Sequence, residues 1–340
     1  TTLLTFLAGQ AMRHHDLKVF FFDRHRGAEI FTRAVQGAYV GFDGDEKNVS
    51  LNPFDCRNTP NNRAFLRRWL KAITMVDDAL SEKEIGRAVT TAFDYLKPEE
   101  RILKNLYKSC FSPTGNMRRE LFRWINPDQY GNIFNAENDS LDLASKRFMA
   151  FDFTHIFEDE TLAPAVISYI MHRIMAETGD TGVPSLIMID ETAPMLKHPM
   201  FRDYFIIGLQ EGRKKRQAYL CAFQQPNIID KLGVGEVIRG QCQTVIFFRN
   251  PQAMPEDYAN WNLTQREIDF IFGKSYRDFP YAILLSRPAT GESVILDVDL
   301  SGLGPYLKLY NSGRKNVLLV EELIKEYGEA NFVTKYLNIG

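Results

Sequence analysis

Apolar and polar positions follow two different rhythms along the chain. Leu3 to Met12 carries apolar residues at helical spacing. Leu17 to Phe22 is an unbroken apolar, aromatic run ending in Asp23, the pattern of a buried strand. Gly27 to Val35 predicts a helix, Ala38 to Val40 a short strand, and Pro53 punctuates a loop. From Thr59 to Asn126 the strand rhythm stops. Asn61 to Val76, Ser81 to Leu96, Pro98 to Cys110 and Gly115 to Ile125 each carry helix spacing. Ser81 with Glu84 reads as a capping box, and Pro98 suits a first helical turn. The polar stretch Asn126 to Asp142 leads back out. From Arg147 strands and helices alternate: strands at Phe148 to Phe153, Ser185 to Asp190, Ala218 to Phe223 and Thr244 to Phe248, helices at Leu162 to Glu177 and Phe201 to Arg216. Tyr281 to Ser286 and Ser293 to Val298 read as a hairpin turning through Pro288 to Gly291.

Such alternation predicts an α/β fold with a mainly parallel sheet flanked by helices. It divides the chain into a first part of the core (1–58), an all-helical insertion with its return segment (59–142), and a second part with C-terminal strands and helices (143–340). The insertion shows no strand-end acids, so it is expected to stand as an appendage that adds nothing to the active site.

Composition changes this picture little. The 340 residues are 45% apolar, enough for a large core. A formal net charge of -2 gives no global basic field for nucleic acid. Cys56, Cys110, Cys221 and Cys242 show no C-x-x-C spacing, which disfavours a zinc site and suits a reducing compartment. The histidines show no ligand spacing. Trp69, Trp124, Met171 and Met175 fall at core positions of helices.

Chemistry enters at Leu186-Ile187-Met188-Ile189-Asp190-Glu191. Four apolar residues followed by two acids match a Walker B strand. Such a strand delivers two carboxylates to the C-terminal edge of a parallel sheet, where ligands bind. The first acid suits Mg²⁺ and the second suits activation of a water. A strand ending in a solvated acidic turn would look the same. The opening Thr1-Thr2-Leu3-Leu4-Thr5-Phe6-Leu7 resembles the stretch just after the lysine of a Walker A loop, G-x-x-x-x-G-K-[ST]. On that reading Thr1 supplies the Mg²⁺-binding hydroxyl. The helix from Thr2 turns its N-terminus to the phosphates. The glycines and lysine are expected just before Thr1. Otherwise Thr1 is only a helix cap. Gln224, after the next strand, sits where a polar sensor of the γ-phosphate is found in such ATPases, though it could be a plain loop amide. Arg213 to Arg216 closes a helix and could act on a neighbour's nucleotide, on nucleic acid, or only on its own helix dipole.

The order of these pieces resembles the CagE/TrbE/VirB family of type IV secretion ATPases. The resemblance runs through "FFDRHRGAEIFTRAVQGAYV", "SLNPFD", "NRAFLRRWL", "ENDSLDL", "RFMAFDFTHIF", "LIMIDE", "LQEGRKKRQAYLCAFQQP", "VIFFRNPQA" and "NLTQREIDFI". Thr192-Ala193-Pro194 departs from the family's usual Ala-Trp after the acids. Arg216 and Phe223 stand where Asn and Thr are frequent. The resemblance implies a RecA-like P-loop ATPase core using ATP and Mg²⁺. It implies a motor on the cytoplasmic face of a bacterial inner membrane, energising apparatus or pilus assembly and transport of protein or DNA. Partners would be other subunits of the apparatus, its inner-membrane complex and further copies in a homo-oligomeric ring. Expected roles are Thr1 and Asp190 for Mg²⁺, Thr1 and Thr2 at the nucleotide, Glu191 as base and Gln224 as sensor. Arg213 is the first candidate for a charge acting across an interface and Arg249 the second. The alternatives are a DNA translocase or helicase of the same class, and a non-catalytic scaffold with a degraded phosphate loop.

Overall fold

The computed structural model describes residues 1–42, 50–311 and 313–339. Five strands form one parallel sheet: β1 (Lys18–Asp23), β2 (Ala38–Gly41), β3 (Phe148–Asp152), β4 (Ser185–Ile189) and β5 (Gln217–Cys221). Their order is β2-β3-β1-β4-β5. β1 and β4 are central, which is why their sequences are continuous apolar runs rather than alternating ones. Val19 and Phe21 face a core shared with Leu4, Ala8 and Phe31. These come from α1 (Thr2–Ala11) and α2 (Glu29–Ala34). Phe20 and Phe22 face the opposite, larger core.

That larger core reaches into the helical segment, which contains α3 (Pro60–Thr74), α4 (Ala79–Asp94), α5 (Leu103–Cys110), α6 (Asn116–Leu121) and α7 (Gly131–Phe134). Among the described residues from 59 to 142 there is no strand. Yet the segment is no separable appendage. Trp69 of α3 is fully buried, and its indole Nε1 donates to the Ala165 carbonyl at 3.0 Å. Ala165 belongs to α8 (Leu162–Ile174), which covers the sheet. Trp124 donates to Ile73 O at 3.1 Å. Excising these helices would strip the outer side of α8.

Two local details differ from the sequence pattern. The cap of α4 is Asp78, whose carboxylate accepts from Ser81 N at 3.0 Å. Ser81 lies inside the helix, and Glu84 instead accepts from Ser112 N. An Asp outcompetes a serine three residues on because its ionised oxygen is the stronger acceptor for free N–H groups. Second, a break at Arg101–Ile102 splits the predicted 98–110 helix into a turn of 3₁₀ helix and α5.

After β4 come α9 (Thr192–Leu196) and α10 (Pro199–Glu211), which returns to the start of β5. Beyond β5 lie α11 (Ile228–Lys231) and α12 (Gly235–Gln241). β6 (Val245–Phe248) does not join the parallel sheet. It pairs antiparallel with β7 (Ala282–Arg287), which pairs with β8 (Glu292–Asp297). α13 (Gln265–Ile271) packs on this second sheet through Phe270 and Ile271. α14 (Arg314–Tyr327) and α15 (Phe332–Asn338) close the chain against α2 through Ile30. No helix among the described residues is long and apolar enough to cross a membrane.

Candidate active site at the carboxyl edge of the sheet

Parallel strands end together, so the acids that follow them are gathered on one edge. Asp23 and Asp152 are register partners on β1 and β3. Asp190 follows Ile189, the partner of Phe22, and its N–H donates to Phe22 O at 3.0 Å. Asp190 is buried. Thr1 occupies the N-cap position of α1 but makes no side-chain cap bond. Its hydroxyl instead donates to Asp190 Oδ2 at 2.5 Å, across 189 positions of sequence. Hydroxyl and carboxylate are thus brought together as a pair of hard oxygen ligands, which fits Mg²⁺. Thr2 and Leu3 lie in the first turn of the same helix. They line a cleft of about 690 Å³ walled by Phe248, Arg249, Tyr281 and Tyr310.

Glu191 turns away from the strand through a left-handed backbone, φ 57° and ψ 60°. That conformation is costly for a residue with a side chain and is concentrated at functional sites. Both carboxylate oxygens are engaged. Gln224 Nε2 donates to Oε1 at 3.0 Å, and Arg24 Nη1 pairs with Oε2 at 2.5 Å. Thr1, Asp190, Glu191 and Gln224 therefore share one edge, linked in two pairs.

Arg24 is a cation beside the acids that the sequence pattern does not single out. It sits on the turn from Asp23 to Gly27, between β1 and α2. Asp23 is fully buried and anchors that turn. Its Oδ1 accepts from Arg24 N at 2.8 Å, and its Oδ2 accepts from Ala28 N and from the Tyr39 hydroxyl, both at 2.9 Å. Burial, with the Asp152 charge added, pushes Asp23 up to about 7, against the opposing pull of those hydrogen bonds. Gly27 closes the turn against Thr1. A Cβ there would stand 2.7 Å from Thr1 Cγ2 and 3.0 Å from Asp23 Oδ1, so the close approach requires glycine.

The two candidate arginines lie elsewhere. Arg213 follows α10, four residues before Gln217, the first residue of β5 and the register partner of Ser185. It is exposed at the amino edge of the sheet, and the rise of β4 alone sets that edge about 16 Å from Asp190. A helix that leaves the carboxyl end of one parallel strand must return to the amino end of the next. Arg213 therefore cannot reach the acids of its own chain. Arg249 lines the cleft beside Thr2, stands 5.5 Å over the Phe270 ring and donates to Phe279 O. His172 is buried and bonded to Asn62 Oδ1 at 2.8 Å, a core residue. No group of His, Cys, Asp and Glu among the described residues forms a multidentate metal cluster.

No family model matches the chain. It is 29% identical over 335 residues to the type IV secretion system protein VirB4 of Bartonella henselae, covering 96% of this chain. It is 25% identical over 343 residues to the conjugal transfer protein TrbE of Rhizobium radiobacter. The chain spans about two-fifths of the length of these relatives, 42% and 40%. Among solved structures, VirB4 of Thermoanaerobacter pseudethanolicus superposes with a TM-score of 0.68 at 13% identity, covering 90% of this chain and 86% of that one. The plasmid coupling protein TrwB, in complex with ADP and Mg²⁺, superposes with a TM-score of 0.57 at 11% identity, over 88% and 82%. The chain thus has the RecA-like fold of the VirB4 and TrwB structures, and nearly all of it is similar in sequence to the type IV secretion system protein VirB4 and the conjugal transfer protein TrbE.

Proposed function

We propose that this chain is the ATP-hydrolysing motor region of a bacterial type IV secretion system protein. The observation that carries the reading is the bond between Thr1 and Asp190, with Glu191 and Gln224 beside it. In the proposed site the N–H groups of the first turn of α1 receive the phosphates. Thr1 and Asp190 would hold Mg²⁺, which neutralises charge on the β- and γ-phosphates when bound. The cleft beyond Thr2 and Leu3, with Tyr281 and Tyr310, has the aromatic character to take the nucleoside. Glu191 accepts a proton from water as the water oxygen bonds to the γ-phosphorus. The bond from that phosphorus to the bridging oxygen breaks, giving ADP and phosphate. Gln224 orients Glu191 and the water.

The name of the VirB4 relative, a type IV secretion system protein, supports assigning such a motor to that apparatus. On this reading it works at the cytoplasmic face of the inner membrane, beside other subunits. Its copies assemble into a ring, where a cation from one chain completes the next chain's site. Arg213 is the first residue to test for that role. A residue acting across a head-to-tail interface must lie on a different face from its own site, as Arg213 does.

The test is ATP hydrolysis and ATP binding by the full-length protein and its Glu191→Gln variant. The amide keeps the shape and loses the base, so turnover should fall about 10²-fold or more while binding is retained. Near-normal hydrolysis by the variant would remove Glu191 from the reading.

A further inference from the structure

A general base whose two oxygens already accept, one from a guanidinium and one from an amide, is poorly placed to take a proton. Glu191 is in that condition. Something must release it for turnover, and its strongest partner is Arg24, since an ion-paired hydrogen bond is roughly twice as strong as a neutral one.

The turn that carries Arg24 is built to hold its backbone and leave its head adaptable. Asp23 fixes both ends, at Arg24 N and Ala28 N, and His25 N donates to Thr154 Oγ1 at 2.6 Å. His25 and Arg26 both hold φ of 60°. The guanidinium, by contrast, rests 5.5 Å over the Phe157 ring, and its buried Nε has no hydrogen-bond partner among the described residues. A flat cation on an aromatic face gives up little when it slides. At its other end the same turn touches Thr1 through Gly27. So one short turn lies against both the base and the proposed phosphate pole.

We propose that Arg24 is an exchange cation. Between turnovers it neutralises Glu191; when a nucleoside triphosphate binds, its guanidinium shifts to the terminal phosphate and frees Glu191 as the base. A phosphate carries more charge than a carboxylate and matches the guanidinium fork equally well, so it wins the competition. A diphosphate ends short of the fork and leaves the pair in place. The inference rests on the ATPase reading of the site.

The experiment measures binding, with Mg²⁺, of ADP and of a non-hydrolysable ATP analogue to four full-length proteins: unsubstituted, Arg24→Ala, Glu191→Gln and the double variant. Arg24→Ala should weaken the ATP analogue about tenfold, and Glu191→Gln should tighten it by a similar factor because the competitor is gone. ADP affinity should change less than about twofold in each. In the Arg24→Ala background, Glu191→Gln should no longer tighten the analogue. If Arg24→Ala fails to fold, Arg24→Gln, which keeps the stem against Phe157, carries the same comparison. An equal effect of Glu191→Gln in both backgrounds, or equal effects on ADP and the analogue, would overturn the exchange while leaving the ATPase reading intact. Failure of the unsubstituted protein to bind either nucleotide would overturn both.

Discussion

The two edges of the parallel sheet carry opposite charge and treat it differently. At the amino edge, Arg213 apart, three cations next to the strand starts are settled on backbone carbonyls. Lys18 Nζ donates to Leu143 O at 2.6 Å and Ala144 O at 2.9 Å. Arg147 donates to Met12 O and His14 O, both at 2.8 Å, and Arg216 to Gly182 O at 3.3 Å. Each ties a loop to a strand start. At the carboxyl edge Asp23, Asp152, Asp190 and Glu191 crowd together, one of them pushed up to about 7 and another on a left-handed backbone. Crowded buried acids cost stability, and such costs persist where a site needs them. Cations tie loops to strand starts at one edge; at the other, on the proposed reading, carboxylates gather for the metal that accompanies a polyanion.

The largest expected effect crosses from one edge to the other. If Arg213 of one copy serves the next, Arg213→Ala should lower turnover in assembled protein about 10³-fold, with ATP binding little changed. Mixing Arg213→Ala with Glu191→Gln protein should restore part of the activity, since each supplies what its neighbour lacks. Activity per chain should rise with concentration. Mixed oligomers without recovery would confine Arg213 to the structural edge, and Arg249 would be tested next.

Asp190→Ala should come second. It removes the carboxylate from the Thr1 pair, and turnover should fall about 10²-fold with a raised Mg²⁺ requirement, read by titrating Mg²⁺ at saturating ATP. An unchanged Mg²⁺ dependence would dissolve the proposed metal pair.

Asp23 offers a smaller effect with a definite sign. Unfolded, it titrates near 3.8; folded, near 7. Between those values the native chain keeps a proton that the unfolded chain has lost, so this contribution to stability is full below 3.8 and falls as pH rises to 7. Asp23→Asn should flatten that decline, measured as the urea midpoint from about pH 4 to about pH 7.5 in both proteins. His172, which burial pushes down to about 3, gives the opposite slope, because the unfolded chain takes up its proton first as pH falls. A His172→Gln variant separates the two.

The smallest effect belongs to the settled edge. Lys18→Met should cost about 1 kcal/mol of stability through two lost carbonyl bonds and leave nucleotide affinity unchanged. A loss of affinity would show that the two edges are not independent.

Much of the carboxyl edge is legible in the sequence because its members end buried strands, and a run such as Leu186 to Glu191 announces both strand and acids. Thr1 is legible only through the helix it begins. Arg24 is not, since its partner Glu191 lies 167 positions away and a turn reading Asp-Arg-His-Arg-Gly looks solvated. The amino-edge position of Arg213 comes from β-α-β geometry, not from closeness to the acids in sequence. β6 shows the limit of periodicity: Val245 to Phe248 reads as a strand correctly, but its choice of β7 as partner is a tertiary matter that no local pattern fixes.

The arrangement as a whole is tested by determining the structure of the full-length protein with Mg²⁺, ADP and beryllium fluoride, a mimic of the bound γ-phosphate. The geometry requires the metal against the Thr1 hydroxyl and on the Asp190 side, the fluoride group facing Glu191 and Gln224, and the nucleoside in the cleft beside Thr2 and Tyr310. Nucleotide bound away from the Thr1–Asp190 pair, or a metal held without either residue, would contradict it.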